Sequence, residues 1–223
     1  MNCDPTRMVR SGAVLAALIA FGGGREALRP VAAPRQAVLA GIGQAPPADG
    51  YRVGPGSRLD VHVAASGLLA AAGHGHLIRA RTFTGTISYS PADLTHASVA
   101  VTVATHGLFV VPERDSSDIP KITATMRNQV LKVAENPEIR FVSTAVSAAA
   151  DGVHVEGGLT MMGQTRPVTF TTVLHVAGDT IEGTATFSVR QTDFGIHPYS
   201  KAFGLVRVAD VMRFEIRLRG VRE

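Results

Sequence analysis

The sequence predicts an all-β domain, eight short antiparallel strands forming a barrel or sandwich, with one inserted α-helix. Three observations predict it. Apolar and polar residues alternate with a period of two through most of the chain after Tyr51, turn-forming residues interrupt that alternation at short intervals, and a single segment switches to three- and four-residue spacing. Composition agrees: 45% of the 223 residues are hydrophobic, only 5% are aromatic and none is tryptophan, so the apolar fraction is carried by Val, Ala, Leu and Ile. A chain of this length and composition buries a core in one or at most two domains, and disorder and collagen are excluded.

Residues 1–49 form a separate N-terminal segment. Arg7 and Arg10 precede Ser11 to Phe21, an uncharged stretch of eleven residues, and Gly22-Gly23-Gly24 follows. Against the roughly 20 residues that a helix needs to cross a bilayer, this reads as the n- and h-regions of a signal peptide, and the mature chain is expected to have no stable membrane span. Gly43-Gln44-Ala45 and Val31-Ala32-Ala33 compete as the cleavage site, and a start at Met8 would shorten the n-region. A disordered tail is the alternative. Cys3 is the sole cysteine and precedes the apolar stretch, so it makes no internal disulfide and does not sit where a lipobox cysteine would.

The strands then follow within a domain of residues 50–223. Leu59, Val61 and Val63 alternate with Arg58, Asp60 and His62; Val99, Val101 and Val103 alternate with Ser98, Ala100 and Thr102. Further runs are Arg81 to Tyr89, Glu138 to Val146, Val153 to Thr160, Val168 to Val176, Ile181 to Val189, and Val211 to Leu218. Ser90-Pro91-Ala92-Asp93, Ala150-Asp151-Gly152, Met162-Gly163-Gln164 and Ala177-Gly178-Asp179 separate them as turns. Asp118-Ile119-Pro120 opens the helix as a capping residue ahead of proline. Ile122, Met126, Gln129, Val130 and Val133 then recur until Asn136-Pro137 stops the run. Thr105 to Ser117 is expected to be a surface loop.

The interior of such a chain is expected to hold space. Ala65, Ala100, Ala104, Ala145, Gly183 and Ala185 are small residues at presumed inward positions, with Phe83, Phe141, Phe170, Phe187 and Phe214 as the large ones. An eight-stranded barrel so lined would hold one uncharged or amphiphilic ligand, whereas small residues packing against loops or the helix would leave none.

Charge argues against nucleic acid. Of the formal net charge of +4, half lies in residues 1–50, which carry five Arg against three acidic residues. The remainder intersperses both signs, without the cationic face that phosphate neutralisation requires. Arg213, Arg217, Arg219 and Arg222 alternate with apolar residues as the wet side of a strand.

Three strings carry more than periodicity: Asn136-Pro137-Glu138-Ile139-Arg140-Phe141-Val142-Ser143, then Gly158 to Thr169 with Thr165-Arg166-Pro167-Val168 inside it, then Arg190-Gln191-Thr192-Asp193-Phe194-Gly195-Ile196. In this order and spacing, over about residues 50–220, the chain resembles the YceI-like domain family of lipocalin-like, polyisoprenoid-binding bacterial proteins. The resemblance implies a closed eight-stranded antiparallel barrel with a helical insertion, a periplasmic or secreted location, and an interior tunnel holding the tail of an isoprenoid such as a quinone or polyprenyl lipid. The segment Ala71 to Ile78 and the stretch Met126 to Leu131 depart from the more familiar members, which marks a divergent subgroup.

The function expected is therefore non-enzymatic binding or carriage of an isoprenoid-like or other amphiphilic lipid, with no other cofactor. Leu59, Val61, Val101, Phe141, Leu159, Phe170, Phe187, Phe214 and Ile216 are the apolar ligand contacts, and His74, His76 and Arg127 the headgroup contacts. Two barrels pairing as a homodimer is an option the sequence leaves open. His74 and His76, two apart on a strand, also offer two imidazoles to one metal ion, with His62 or His106 as third ligand; a metal or haem site is the alternative function. An isomerase or hydratase using His197 near Asp193 and Tyr199 is a further one. Asp193-Phe194-Gly195 lacks the loops and lysine that would make it a kinase triplet and is expected to be a turn.

Overall fold

The computed structural model describes residues 49–67, 75–112, 117–201 and 206–223. Residues 1–48, which hold the expected signal peptide, and His74 lie outside them. Twelve strands are present: β1 (Asp49–Val53), β2 (Arg58–Ser66), β3 (His76–Ala80), β4 (Phe83–Tyr89), β5 (Ser98–Ala104), β6 (Leu108–Val111), β7 (Glu138–Ala149), β8 (Gly152–Met161), β9 (Gln164–Ala177), β10 (Thr180–Arg190), β11 (Ser200–Lys201) and β12 (Val206–Arg222). The helix α1 spans Ile119–Thr125.

Hydrogen-bonded neighbours run β1-β4-β5-β7-β8-β9-β10-β12, and β12 pairs back to β1, which closes a ring of eight antiparallel strands. Three walls of that ring are long strands interrupted by kinks. Asp49 faces Tyr89 and Asp60 faces Arg79 in one antiparallel hairpin, so β1 with β2, and β3 with β4, are two bent strands side by side. In the same way β5 pairs β4 and β6 pairs β3 on either side of the turn Thr105–Gly107. Each wall is adjacent to the next in sequence, an up-and-down barrel that leaves no wall as a free edge along the closed ring.

The eight expected strands match these eight walls, with three corrections. The first wall begins at Asp49, ten residues before the alternation from Leu59, because Tyr51 and Val53 are buried at the end of the barrel where β1 closes on β12. Within the expected loop Thr105 to Ser117, Leu108–Val111 is a strand whose Leu108 and Val110 face the core. The helix is shorter than its pattern: α1 has seven residues, passes into a π-helical turn over Met126–Val130, and ends before Val133. Asp118 makes no capping hydrogen bond to it.

Turn chemistry places the hairpins. Between β8 and β9 only Met162 and Gly163 intervene, with φ of 50° and 72°, the left-handed pair that matches strand twist in a two-residue loop. At the closed end Tyr51 (1% exposed) and Ile181 (0%) pack together over Gly220, where a Cβ would lie 2.9 Å from both. The Arg222 guanidinium lies over the Tyr51 ring and pairs with Asp49 at 2.6 Å.

Candidate functional site

The ring is not uniformly hydrogen-bonded, and the interruptions locate the site. Past Ala104↔Glu138, β6 has β3 on one side and, among the described residues, no strand on the other. The helix covers that side: Thr123 Oγ1 accepts from the Val110 N–H at 3.1 Å, and Arg127 Nε donates to the Leu108 carbonyl at 2.6 Å. One turn apart on the helix, these side chains satisfy strand groups that would otherwise be unpaired. The helical segment is anchored at its far end by Asn136, whose Nδ2 donates to the Leu131 and Lys132 carbonyls, and by Thr105, which receives the chain through bonds to Asn136 and Pro137 carbonyls.

A second interruption lies between β9 and β10. Their ladder runs from Ala177↔Thr180 to Val173↔Thr184 and, among the described residues, goes no further. Pro167, with no N–H to donate, sits in the unpaired stretch. Two devices close the seam. Phe170 and Phe187 stack across it with centroids 5.5 Å apart. The turn after β10 then folds back, burying Phe194 (0% exposed) and Ile196 (1%) against Val168. Gly195, at φ 72°, turns the chain, and Asp210 of β12 holds the turn by accepting from the Thr192 N–H at 2.9 Å and its hydroxyl at 2.8 Å. The backbone N–H, ahead of the hydroxyl, holds the Asp210 carboxyl below the usual carboxylate range.

Inside are two cavities. The inner one, about 140 Å³, is lined by apolar side chains from most walls, among them Leu59, Val101, Val155, Leu159, Leu174 and Leu218, with only uncharged groups such as Ser98 and Thr172 beside them. The outer one, about 330 Å³, lies beneath the helix, which contributes Lys121, Ile122, Thr125 and Met126, with Asp118 just ahead of it. His76, Gln191 and Tyr199 add further polar groups, while Val61, Ile78, Val110 and Met161 supply an apolar remainder. A row of rings runs along the wall of the inner cavity to Phe214, which also lines the outer one: Phe141–Phe170 at 5.6 Å, Phe170–Phe187 at 5.5 Å and Phe187–Phe214 at 4.9 Å. Gly157 makes the first contact feasible, since a Cβ there would lie 2.5 Å from Phe141 Cζ.

The expected apolar contacts are gathered here. Leu59, Val101, Phe141, Leu159, Phe170, Phe187 and Ile216 line the inner cavity, Val61 the outer, and Phe214 both. His76 lines the outer cavity. Arg127 lines neither, being bonded to the Leu108 carbonyl. Sequence reasoning missed Asp118 as a lining group, and with it Lys121, Gln191 and Tyr199. The i, i+3, i+7 positions of Asp118, Lys121 and Thr125 gave the one available signal, a polar edge along the apolar stripe of Ile122 and Met126.

Of the small residues expected inside, Gly183 and Ala185 line the inner cavity. Ala100 and Ala104 instead share the face opposite Val101 and Val103, and Ala145 is exposed beyond a bulge after Ser143. The proposed third metal ligands do not converge with His76. His62 lies on the outer sheet face, its Nε2 3.2 Å from a Glu215 carboxylate oxygen but out of line for a hydrogen bond. His106 is exposed on the turn before β6, while His76 pairs one residue beyond Val111, about 20 Å along the strand. Among the described residues no three His, Cys, Asp or Glu side chains group as a metal site. His197 and Asp193 are exposed, on the turn that Asp210 holds.

Comparison with known proteins decides the family. The YceI-like domain model matches residues 60–219. The chain belongs to the YceI-like domain family. UPF0312 proteins of Pseudomonas aeruginosa and Pseudomonas paraeruginosa are each 29% identical to this YceI-like chain over 126 residues, 53% of it and 62% of theirs. The match thus spans less than two thirds of those relatives. Among solved structures, Burkholderia cenocepacia BcnA superposes with a TM-score of 0.58 at 17% identity, covering 73% of this chain and 95% of that one. A Campylobacter jejuni YceI protein gives 0.52 at 13%, covering 66% and 84%. Both share the fold. No helix among the described residues is long and apolar enough to cross a membrane.

Proposed function

We propose that this YceI-like protein is a non-enzymatic carrier of an isoprenoid-like or other amphiphilic lipid, exported to the periplasm or beyond. The observation that carries this reading is the grading of the two cavities: an inner one without a charged lining group, continuing into an outer one edged by His76, Asp118, Lys121, Gln191 and Tyr199. An apolar tail entering the first leaves water at about 25 cal/mol per Å² buried, while a polar headgroup keeps hydrogen-bonding partners in the second. Family membership and the barrel of its structural neighbours support a binding role. Arg7, Arg10 and the uncharged run Ser11 to Phe21 support export.

Native mass spectrometry of the full chain purified from its own host, followed by lipid extraction, tests the reading and reports in the same spectrum whether two barrels pair. A co-purifying amphiphile is expected. Absence of any bound lipid, together with no uptake of a quinone or a polyprenol, would refute it. Recovery in the cytoplasmic fraction after cell fractionation would refute export.

A further inference from the structure

We propose that Phe214 and Ile139 form an internal constriction, so that the barrel reads tail length in two stages. This rests on the carrier reading above and adds the element that sets which tails fit. Phe214 and Ile139 are the two side chains that line both cavities. Phe214 is on β12 and Ile139 on β7, which stand four walls apart in a ring of eight. They therefore project from opposite sides of the barrel at one level. Neighbours on both sides mark the level: Val61, paired with Phe214, lines only the outer cavity, Ile216, two residues along from Phe214, only the inner, and Phe141, two residues along from Ile139, again only the inner.

The two sides of the constriction differ in freedom. Phe214 is held face to face with Phe187, 4.9 Å away at 7°, and through it with Phe170 and Phe141. Ile139 has no such stack. With its headgroup among the polar groups of the outer cavity, a tail reaches the inner one only if the Ile139 branch turns or the ring slides along its stack. Chains that end before this level gain nothing from the inner cavity; those that pass it gain apolar burial again.

The test is a homologous series of straight-chain 1-alkanols titrated calorimetrically into the full chain after delipidation. Each methylene that leaves water tightens binding by about fourfold. The expected series climbs, stalls over the methylenes that reach the Phe214 ring, and climbs again. Phe214→Leu, which keeps an apolar core residue but removes the ring, should remove the stall. Ile139→Phe should abolish the second climb and leave a plateau beginning at the same chain length as the stall. The position of the break, rather than affinity itself, is the readout, and thermal melts confirm that both variants fold. An unbroken climb in the unmodified protein, or a break that neither variant alters, overturns the constriction while leaving the carrier reading in place. Failure of every alcohol to bind overturns the constriction, and the carrier reading falls with it only if a quinone and a polyprenol also fail to bind.

Discussion

Replacement of Phe194 by alanine is expected to open one particular seam of the barrel. The side chain is 0% exposed, packed with Ile196 and Val168 where the β9–β10 ladder stops at Val173↔Thr184. Removing a fully buried phenyl costs about 3–5 kcal/mol, because the transfer free energy is lost and the cavity left behind collapses only in part. Set against the 5–15 kcal/mol that stabilises a typical domain, this is a large fraction. At roughly 2–4 °C per kcal/mol for a domain of this size, the melting temperature should fall by about 6–20 °C. Local effects discriminate further. With no β9–β10 ladder beyond Thr184, the facing sides of β9 (Gln164 to Thr172) and β10 (Ala185 to Arg190), strands otherwise paired to β8 and β12, are held to each other by the plug and the Phe170–Phe187 stack. Their amides should lose hydrogen-exchange protection from each other's side, while those of the β4–β5 ladder change only with global stability. A melting temperature within about 2 °C of the unmodified protein, or protection lost evenly over all strands, would refute the account of the seam.

Three further outcomes are expected. Asp210→Ala removes both bonds to Thr192 and should cost about 1–3 kcal/mol by urea denaturation. Because the folded carboxyl titrates below its unfolded value near 3.9, the stabilisation is present above about pH 4 and lost as pH falls through the folded pKa; the variant should therefore show a flatter stability profile in that acid range, and identical profiles would exclude the linkage. Thr123→Val leaves the Val110 N–H without its acceptor, so exchange at that amide should accelerate while the β8–β9 hairpin is unaffected, as resolved by NMR. Gly157→Ala places a Cβ 2.5 Å from Phe141 Cζ and 2.6 Å from the Val142 carbonyl and should destabilise by about 1–3 kcal/mol; Phe141→Leu added to it should relieve only part, since the carbonyl cannot move aside, and full rescue in thermal melts would count against that division.

Strand number was legible because a half-buried strand writes its facing into a period of two, and Leu59, Val61 and Val63 show it plainly. What period cannot show is how far a strand continues through a kink. The wall from Asp49 to Ser66 breaks at Gly54–Ser57, leaving Tyr51 and Val53 too short a run to show a period, and the wall from Ser98 to Val111 breaks at Thr105–Gly107 and restarts out of phase, from Val101 and Val103 to Leu108 and Val110, so each first or last segment reads as loop. The helix was legible from Ile122, Met126 and Val130, yet its early passage into a π-helical turn is decided by tertiary bonds of Thr123 and Arg127 to β6, to which a local pattern is blind. The same blindness explains Arg127. A cation near a cavity mouth was a fair headgroup contact by composition, but the carbonyl of an otherwise unpaired strand holds it more firmly than an open pocket would.

The three sequence strings turn out to do the closing of the barrel rather than its chemistry. The first brings the chain back from the helix to the kink at Thr105 and supplies Ile139 and Phe141 to the interior. The second is the β8–β9 hairpin with its proline in the unpaired stretch, and the third is the plug that fills the gap this leaves. Proline and plug answer each other: a strand that cannot complete its ladder needs side chains to seal it. Resemblance carried by such strings therefore speaks strongly for the barrel and its apolar inner cavity. Except for Gln191, the polar groups that edge the outer cavity, among them His76, Asp118, Lys121 and Tyr199, lie outside the strings, the first three ahead of them and Tyr199 after them. Headgroup selection is thus free to diverge among proteins whose walls stay the same, and exchange of Asp118 and Lys121 should alter which headgroup binds before it alters which tail.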